Sequence, residues 1–400
     1  MYEVVNYQEL QQCLCCNEKK LQPVLNLNKQ PLANSYLKNR NEPQDEFPLG
    51  INFCPTCTHI QLTHTVNPDL LFKNYLYVSG TTHTLRQYFK DFVDITARYT
   101  LGKKVLDIAC NDGTQLDAFK ERGYETYGID PAENLFSISS KNHTVVCDYF
   151  NEKSILKFEN YRDKFDIIIA QNVFAHNDYP KEFLECCKKV LNHYGYLFIQ
   201  TSQADMVHEN QFDTIYHEHV SFFSIKSMQY LARRAGLYIK DVIKTPVHGN
   251  SFVFVLSKWG PDVSDQFISS ESLLTPFRMA AYSVFCKSIA EQTSKLVHRL
   301  QSEGKKVIGY GAAAKGNTFI NFSNFKLDYI VDDNPLKRNL YTPGSRIKIV
   351  HPNKIKQESG ELYVMPLAWN FFEEIKQKVS AMKHDVKYIR YFPEVQILDA

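Results

Sequence analysis

The stretch Val105-Leu106-Asp107-Ile108-Ala109-Cys110-Asn111-Asp112-Gly113-Thr114 decides the fold of this chain. An apolar run closes on an acid and passes through small, turn-forming residues into a helical pattern, as a buried strand does at the first loop of a doubly wound sheet. Nucleoside ligands bind at that loop. Upstream, the apolar spacing over 85–98 predicts a helix leading into the strand. Downstream, apolar runs at 126–129, 144–146, 165–170 and 196–200 are separated by amphipathic stretches, which predicts repeated βα units and a parallel sheet. Runs at 236–242 and 251–257 complete this unit near residue 258. A long helical pattern over 276–302 ends at Ser302-Glu303-Gly304, and a second α/β unit follows. Its expected strands are 307–310, 329–331, 347–350, 362–365 and 386–389, with a helix near 369–382.

Three acids stand at expected strand ends. Asp107 closes the first strand, Asp130 closes the second and can take both ribose hydroxyls, and Asp148 closes the third, where it can meet an adenine amino group beside Phe150. This set favours S-adenosylmethionine (SAM) over a dinucleotide, because the acidic Asn111-Asp112 turn repels a pyrophosphate and attracts a sulfonium. Ala109, Asn111 and Gly113 in the first loop, and Asn172 after the fourth strand, complete the candidate cofactor site.

Composition narrows the remaining classes. The 400 residues are 44% hydrophobic and 22% charged, and 46 Lys+Arg against 44 Asp+Glu leave no electrostatic footprint for nucleic acid. No apolar run is long enough to span a membrane, and the start MYEVVNYQELQQ lacks the regions of a secretion signal, so a cytoplasmic place is expected. Of 10 cysteines, five lie within the first 57 residues. Cys13-x-x-Cys16 and Cys54-x-x-Cys57 are two knuckles of a tetrahedral zinc site, with Cys15 as a bystander. Four protein thiolates leave no open position, so the metal is expected to be structural.

Two further runs carry chemistry. His176 follows the fourth strand, and Tyr216-His217-Glu218-His219 follows the fifth, at the border of the ligand crevice. They supply a proton acceptor, an orienting carboxylate and donors for a developing oxyanion. Capping of the helix that begins at 225 is the plainer reading of the same polar residues. In the second unit, Gly309-x-Gly311-x-x-Ala314 with Asp332 fits a dinucleotide fingerprint. Equally, Lys315, Asn317 and Thr318 at that helix start suit a sugar-linked diphosphate, and a packing role is the third possibility.

Together these motifs resemble the zinc-containing, SAM-dependent nucleotide-sugar C-methyltransferases of deoxysugar biosynthesis, which methylate carbon 3 of a 4-keto sugar. The resemblance spans the chain through Pro31-Leu32-Ala33-Asn34-Ser35-Tyr36, Tyr75-Leu76-Tyr77-Val78-Ser79, the loop at 106–113, Asn172 with His176, residues 216–224 and residues 309–318. It implies an α/β chain of three parts: a zinc-binding module (1–75), a central class I SAM methyltransferase domain with a Rossmann-like fold (76–258), and a C-terminal second Rossmann-like domain that binds substrate (259–400). It also implies zinc on Cys13, Cys16, Cys54 and Cys57, and an active site of Tyr77, His176, Tyr216, Glu218 and His219, with a nucleotide-diphosphate keto sugar as substrate. His219 is the expected base, with Glu218 setting its tautomer and Tyr216 or His176 donating to the enolate oxygen; Tyr216 and His219 can exchange roles. A monomer is expected, with neither nucleic acid nor membrane as partner. Two departures stand out. The family's glycine is Ala109 here, and its H-G-G-S-x-R run reads His248-Gly249-Asn250-Ser251-Phe252-Val253, without the arginine. That second departure leaves room for O- or N-methylation of another metabolite, and a binding protein without turnover is the non-enzymatic alternative.

Overall fold

The computed structural model describes residues 6–72, 80, 83–202, 204–245, 251–268 and 274–399. The chain opens with five strands, β1 (Tyr7–Glu9), β2 (Gln22–Gln30), β3 (Phe47–Phe53), β4 (Ile60–Leu62) and β5 (His64–Val66). Along β3, Phe47, Leu49, Ile51 and Phe53 are all buried, the period of two that lays one face of a strand on a core. Helices α1 (Pro68–Phe72) and α2 (His83–Thr96) lead into the central unit.

That unit contains β6 (Lys104–Ile108), α3 (Thr114–Glu121), β7 (Glu125–Asp130), α4 (Glu133–Ser139), β8 (Thr144–Cys147), β9 (Phe165–Gln171), α5 (Pro180–Val190) and β10 (Leu191–Thr201). After β11 (Ser221–Phe222) come α6 (Ile225–Ala235), β12 (Tyr238–Thr245) and β13 (Ser251–Ser257). Its sheet runs β12-β13-β10-β9-β6-β7-β8. The sheet is not wholly parallel as the alternation implied, because β13 is antiparallel to both β10 and β12. Only five residues separate β12 from β13, too few for a crossover, so the pair must reverse direction. One face packs on α2 and α3 through Phe92, Phe119, Ile167 and Phe198, and the other on α5 and α6 through Leu184, Ile168 and Met228. With both faces covered, the strands read as continuous apolar runs. Residues beyond the expected limit at 258 still belong to this unit: Gln229 of α6 donates to Ser264 at 2.6 Å and to Asp265 at 2.7 Å, at the start of α7 (Asp265–Ile268).

Helix α8 (Pro276–Ser302) spans the predicted residues, capped by Thr275, whose side chain accepts from Arg278 N at 3.2 Å. The second unit comprises β14 (Lys306–Tyr310), α9 (Ala314–Ser323), β15 (Ile330–Val331), β16 (Ile349–Val350), β17 (Leu362–Pro366), α10 (Phe372–Ser380), β18 (Val386–Arg390) and β19 (Gln396–Asp399). Its order, β16-β15-β14-β17-β18-β19, switches direction between β14 and β17, as a dinucleotide fold does. The edge strand β19, which periodicity missed, is antiparallel.

The first module is wedged between the two units. Leu25, Leu27, Ile51 and Phe53 share one core with Tyr282 of α8 and Phe319 of α9, while the buried Cys13, Cys54 and Cys57 join the core of the central unit. Among the described residues, no helix is long and apolar enough to cross a membrane.

Candidate functional site

Cys13, Cys16, Cys54 and Cys57 bring their sulfurs within 4.8 Å of one another. Cys13 Sγ lies 3.5 Å from Cys57 Sγ, and Cys16 Sγ 3.5 Å from Cys54 Sγ. Four thiolates at about 2.3 Å from one ion would stand about 3.8 Å apart, so the cluster fits tetrahedral zinc. The second knuckle then hands its order to the Tyr216–His219 run. Thr58 Oγ1 bonds Ser224 Oγ at 2.7 Å, His59 Nε2 bonds Ser221 Oγ at 3.2 Å, and β4 pairs with β11, the strand that follows Tyr216-His217-Glu218-His219. Gln61 Oε1 accepts from Leu14 N at 2.9 Å, tying β4 to the first knuckle as well. Ser224 does cap α6, as the plainer reading of this region held, but Tyr216, Glu218 and His219 before it line a cavity.

That cavity holds about 1480 Å³ and reaches from the first loop of the central unit to the first loop of the second. This is larger than a single small-molecule pocket, for which 300–1,000 Å³ is usual. At its cofactor end lie Asp107, Ala109, Asn111, Asp130, Phe150 and Asn172. Burial, then the neighbouring carboxylates Asp130 and Asp112, push the Asp107 carboxyl well above its ordinary range; burial likewise raises Asp130. Two desolvated acids side by side favour a cationic ligand, which fits the sulfonium and ammonium of SAM. Ala109 takes a positive φ of 64°, so the alanine in place of the family's glycine costs backbone strain as well as space.

Two predicted cofactor residues lie elsewhere. Gly113 is the left-handed N-cap of α3 at φ 83°, a conformational role behind the cavity wall. Asp148 turns to Lys157 Nζ at 2.7 Å and does not line the cavity. Asp112 is also spent on the turn, accepting from Thr114 N at 3.1 Å and from Gly80 N at 2.9 Å.

His176, Tyr216, Glu218 and His219 all line the middle of the cavity. Tyr216 Oη bonds His219 Nε2 at 2.8 Å, and His219 Nδ1 faces the Thr214 carbonyl at 2.8 Å. A carbonyl only accepts, so Nδ1 carries the proton and Nε2 presents its lone pair to the tyrosine O–H. The tautomer is thus set by Thr214 rather than by Glu218. Glu218 Oε1 instead accepts from Asn34 Nδ2 of the first module at 2.6 Å. His176 stacks on His219 at 5.2 Å and on Phe72 at 5.6 Å. It is half-buried on the cavity wall, and desolvation pulls its pKa down to about 4, so at neutral pH it is an uncharged donor. His217 points away, buried against Phe47, with its pKa also near 4. Tyr77 lies outside the described residues, as do His248, Gly249 and Asn250. Val253 is 1% exposed and packs in the central core, so the missing arginine leaves an apolar contact there and not a gap in the cavity wall.

These environments give stability a defined pH dependence. His176 and His217 bind protons more weakly folded than unfolded, so the stability they lend is present above pH 6.5 and is lost as the pH falls toward 4. Asp178 on the cavity wall acts oppositely: burial pushes its carboxyl to about 6, so its ionised form costs stability at neutral pH. Asp178→Asn is therefore expected to raise stability at pH 7.5 by about 1–2 kcal/mol. It should also steepen the loss between pH 7 and 5, both read from urea unfolding midpoints.

At the far end, Lys315, Lys337, Trp369 and Asn370 line the cavity. Asn317 and Thr318, predicted beside Lys315, do not. Both are buried one turn into α9, where Asn317 Nδ2 holds the Ala33 carbonyl of the first module at 2.8 Å. Trp369 Nε1 donates to the buried Asp213 at 2.7 Å, and Lys315 Nζ lies 5.1 Å from the Trp369 ring. Sequence reasoning missed Thr214, Asn34 and Lys337 as site residues. Thr214 acts mainly through its carbonyl, with Oγ1 at 3.3 Å from the same Nδ1, and Asn34 and Lys337 reach the site from other elements; only the Pro31–Tyr36 phrase hinted at Asn34.

Comparisons with known proteins agree with this three-part organisation. A zinc binding domain model matches residues 13–72, a methyltransferase domain model residues 82–242, and the C-methyltransferase C-terminal domain model residues 246–393. The chain is 26% identical to C-methyltransferase NovU of Streptomyces niveus over 98% of its own length and 97% of that relative. Similarity to a ubiquinone biosynthesis O-methyltransferase of Shewanella pealeana is 21% and covers 40% of this chain and 74% of the relative. Among solved structures, the 1,6-didemethyltoxoflavin-N1-methyltransferase of Burkholderia thailandensis aligns at a TM-score of 0.35 and 15% identity, over 44% of this chain and 78% of that one. A four-cysteine zinc module, a methyltransferase domain and a C-methyltransferase C-terminal domain thus follow one another in this chain, which is a SAM-dependent methyltransferase similar along nearly its whole length to a C-methyltransferase.

Proposed function

We propose that the protein methylates the carbon next to the ketone of a nucleotide-linked 4-keto deoxysugar. The observation that carries this reading is the Tyr216–His219 pair, joined at 2.8 Å on the wall of a cavity that also takes in the loops of both α/β units. A sugar C–H is acidic enough to lose its proton only beside a carbonyl, so such a site needs a base, a donor for the enolate oxygen and a held methyl donor. His219 is the final proton acceptor. Because its Nε2 already faces the Tyr216 hydroxyl, the substrate proton passes to the Tyr216 oxygen as the Tyr216 proton moves to Nε2. Neutral His176 donates an N–H to the enolate oxygen. Bound at Asp107 and Asp130, SAM supplies the methyl group, and the protein's further contribution is to hold the reacting atoms about 3–3.5 Å apart. Lys315 and the N-terminal turn of α9, on the cavity wall, face the diphosphate. Carbon as the methylated atom is in keeping with the name of the C-methyltransferase NovU relative.

A panel of nucleoside-diphosphate 4-keto deoxysugars tests the proposal. The expected product carries a branched methyl group, seen as a singlet without an oxygen shift and stable to reagents that cleave methyl ethers. A methyl ether or N-methyl product would favour the alternative, O- or N-methylation on the same scaffold.

A further inference from the structure

The two α/β units carry the same device at the end of their second strand. Asp130 Oδ2 accepts from Asn111 N and its Oδ1 from Ala132 N, each at 2.8 Å. Asp332 Oδ2 accepts from Ala312 N and its Oδ1 from Asn334 N, each at 2.7 Å. Each acid ties the first loop of its unit to the turn that follows the acid. In the central unit the carboxylate also forms part of the cavity wall; in the second unit it does not. The difference is Lys337. Its Nζ stands 4.0 Å from Asp332 Oδ2 and donates to the Ala312 carbonyl at 2.7 Å. The Tyr36 hydroxyl of the first module donates to that same carbonyl at 2.5 Å. Lys337, and not Asp332, is what the cavity meets.

A dinucleotide on a G-x-G-x-x-A loop needs the second-strand acid for its ribose hydroxyls and close access to the loop backbone. Here an ammonium covers the acid, and a phenol together with that ammonium covers the loop carbonyl. We infer that Lys337 converts this loop from a dinucleotide site into a diphosphate site: it closes the ribose position and, with Lys315, presents positive charge to the phosphates of the substrate. This rests on the sugar-nucleotide reading above. A lysine can do both because its compact, rotatable ammonium keeps a carbonyl and a carboxylate while its charge acts on a third group.

Thymidine diphosphate is the probe, and Trp369, one of only two tryptophans, is the reporter in a Trp259→Phe background. Wild-type protein should bind the probe with a change in emission. Lys337→Met should weaken that binding about 10- to 100-fold, the range for one lost charge-assisted contact, with SAM affinity unchanged. Lys337→Gln keeps a donor for the Ala312 carbonyl and should show the same loss, whereas Lys337→Arg should stay within a few-fold of wild type. If wild type binds the probe and Lys337→Gln binds it equally tightly, this inference is overturned while the sugar-nucleotide reading stands. If wild type does not bind it, both fall.

Discussion

Removing zinc, by chelation or by Cys54→Ser, is expected to lower methyl transfer by at least about 100-fold while SAM affinity changes by no more than a few-fold. The unequal effect follows from the way the module is wired. Asp107 and Asp130, proposed to hold SAM, stand on β6 and β7, whereas the proposed catalytic run at 216–219 reaches its position through pairing of β11 with β4, the Thr58–Ser224 and His59–Ser221 contacts, and Asn34 on Glu218. Structural zinc contributes about 10–16 kcal/mol to the folding of small zinc modules, so its loss releases the residues that hold the run. A displacement of about 1 Å at reacting atoms is enough for a 100-fold loss. Turnover measured beside SAM titration calorimetry on the same metal-free sample checks this. Full turnover without zinc would show that the module does not hold the active site.

His219→Asn and Tyr216→Phe should each cut turnover by about 10²- to 10⁴-fold, the range for a positioned acid or base. Deuterium exchange at the carbon next to the ketone, followed without SAM, isolates the proton step. The shared proton path predicts that both variants lose exchange and methylation together. If His219→Asn retains both at normal rates, the base assignment is wrong. If Tyr216→Phe alone retains exchange, His219 takes the proton directly and the tyrosine is only a donor. Thr214 offers a weaker handle, because its shorter contact with Nδ1, at 2.8 Å, is a backbone carbonyl and its side-chain Oγ1 stands at 3.3 Å.

By itself, the order of residues determined the α/β class, the two switch-point loops, the helix over 276–302 and the four-cysteine set. All of these rest on short-range periodicity or spacing, which local physics reads directly. It also pointed to His176, Tyr216, Glu218 and His219, since polar residues crowded after a buried strand have few structural uses. Only the tertiary structure decided which neighbour serves which group. Asp148 sits where the pattern places an adenine partner, yet Lys157 nine positions on claims its carboxylate. Asn317 is two residues from Lys315, yet packing against Ala33 buries it. Thr214 replaces Glu218 on His219, Asn34 crosses 184 positions to reach Glu218, and Lys337 covers Asp332. The physical reason is common to all of them. Hydrogen bonds and ion pairs act over about 3–4 Å, and whether two groups come that close depends on how three separately folded parts pack, which no local period encodes.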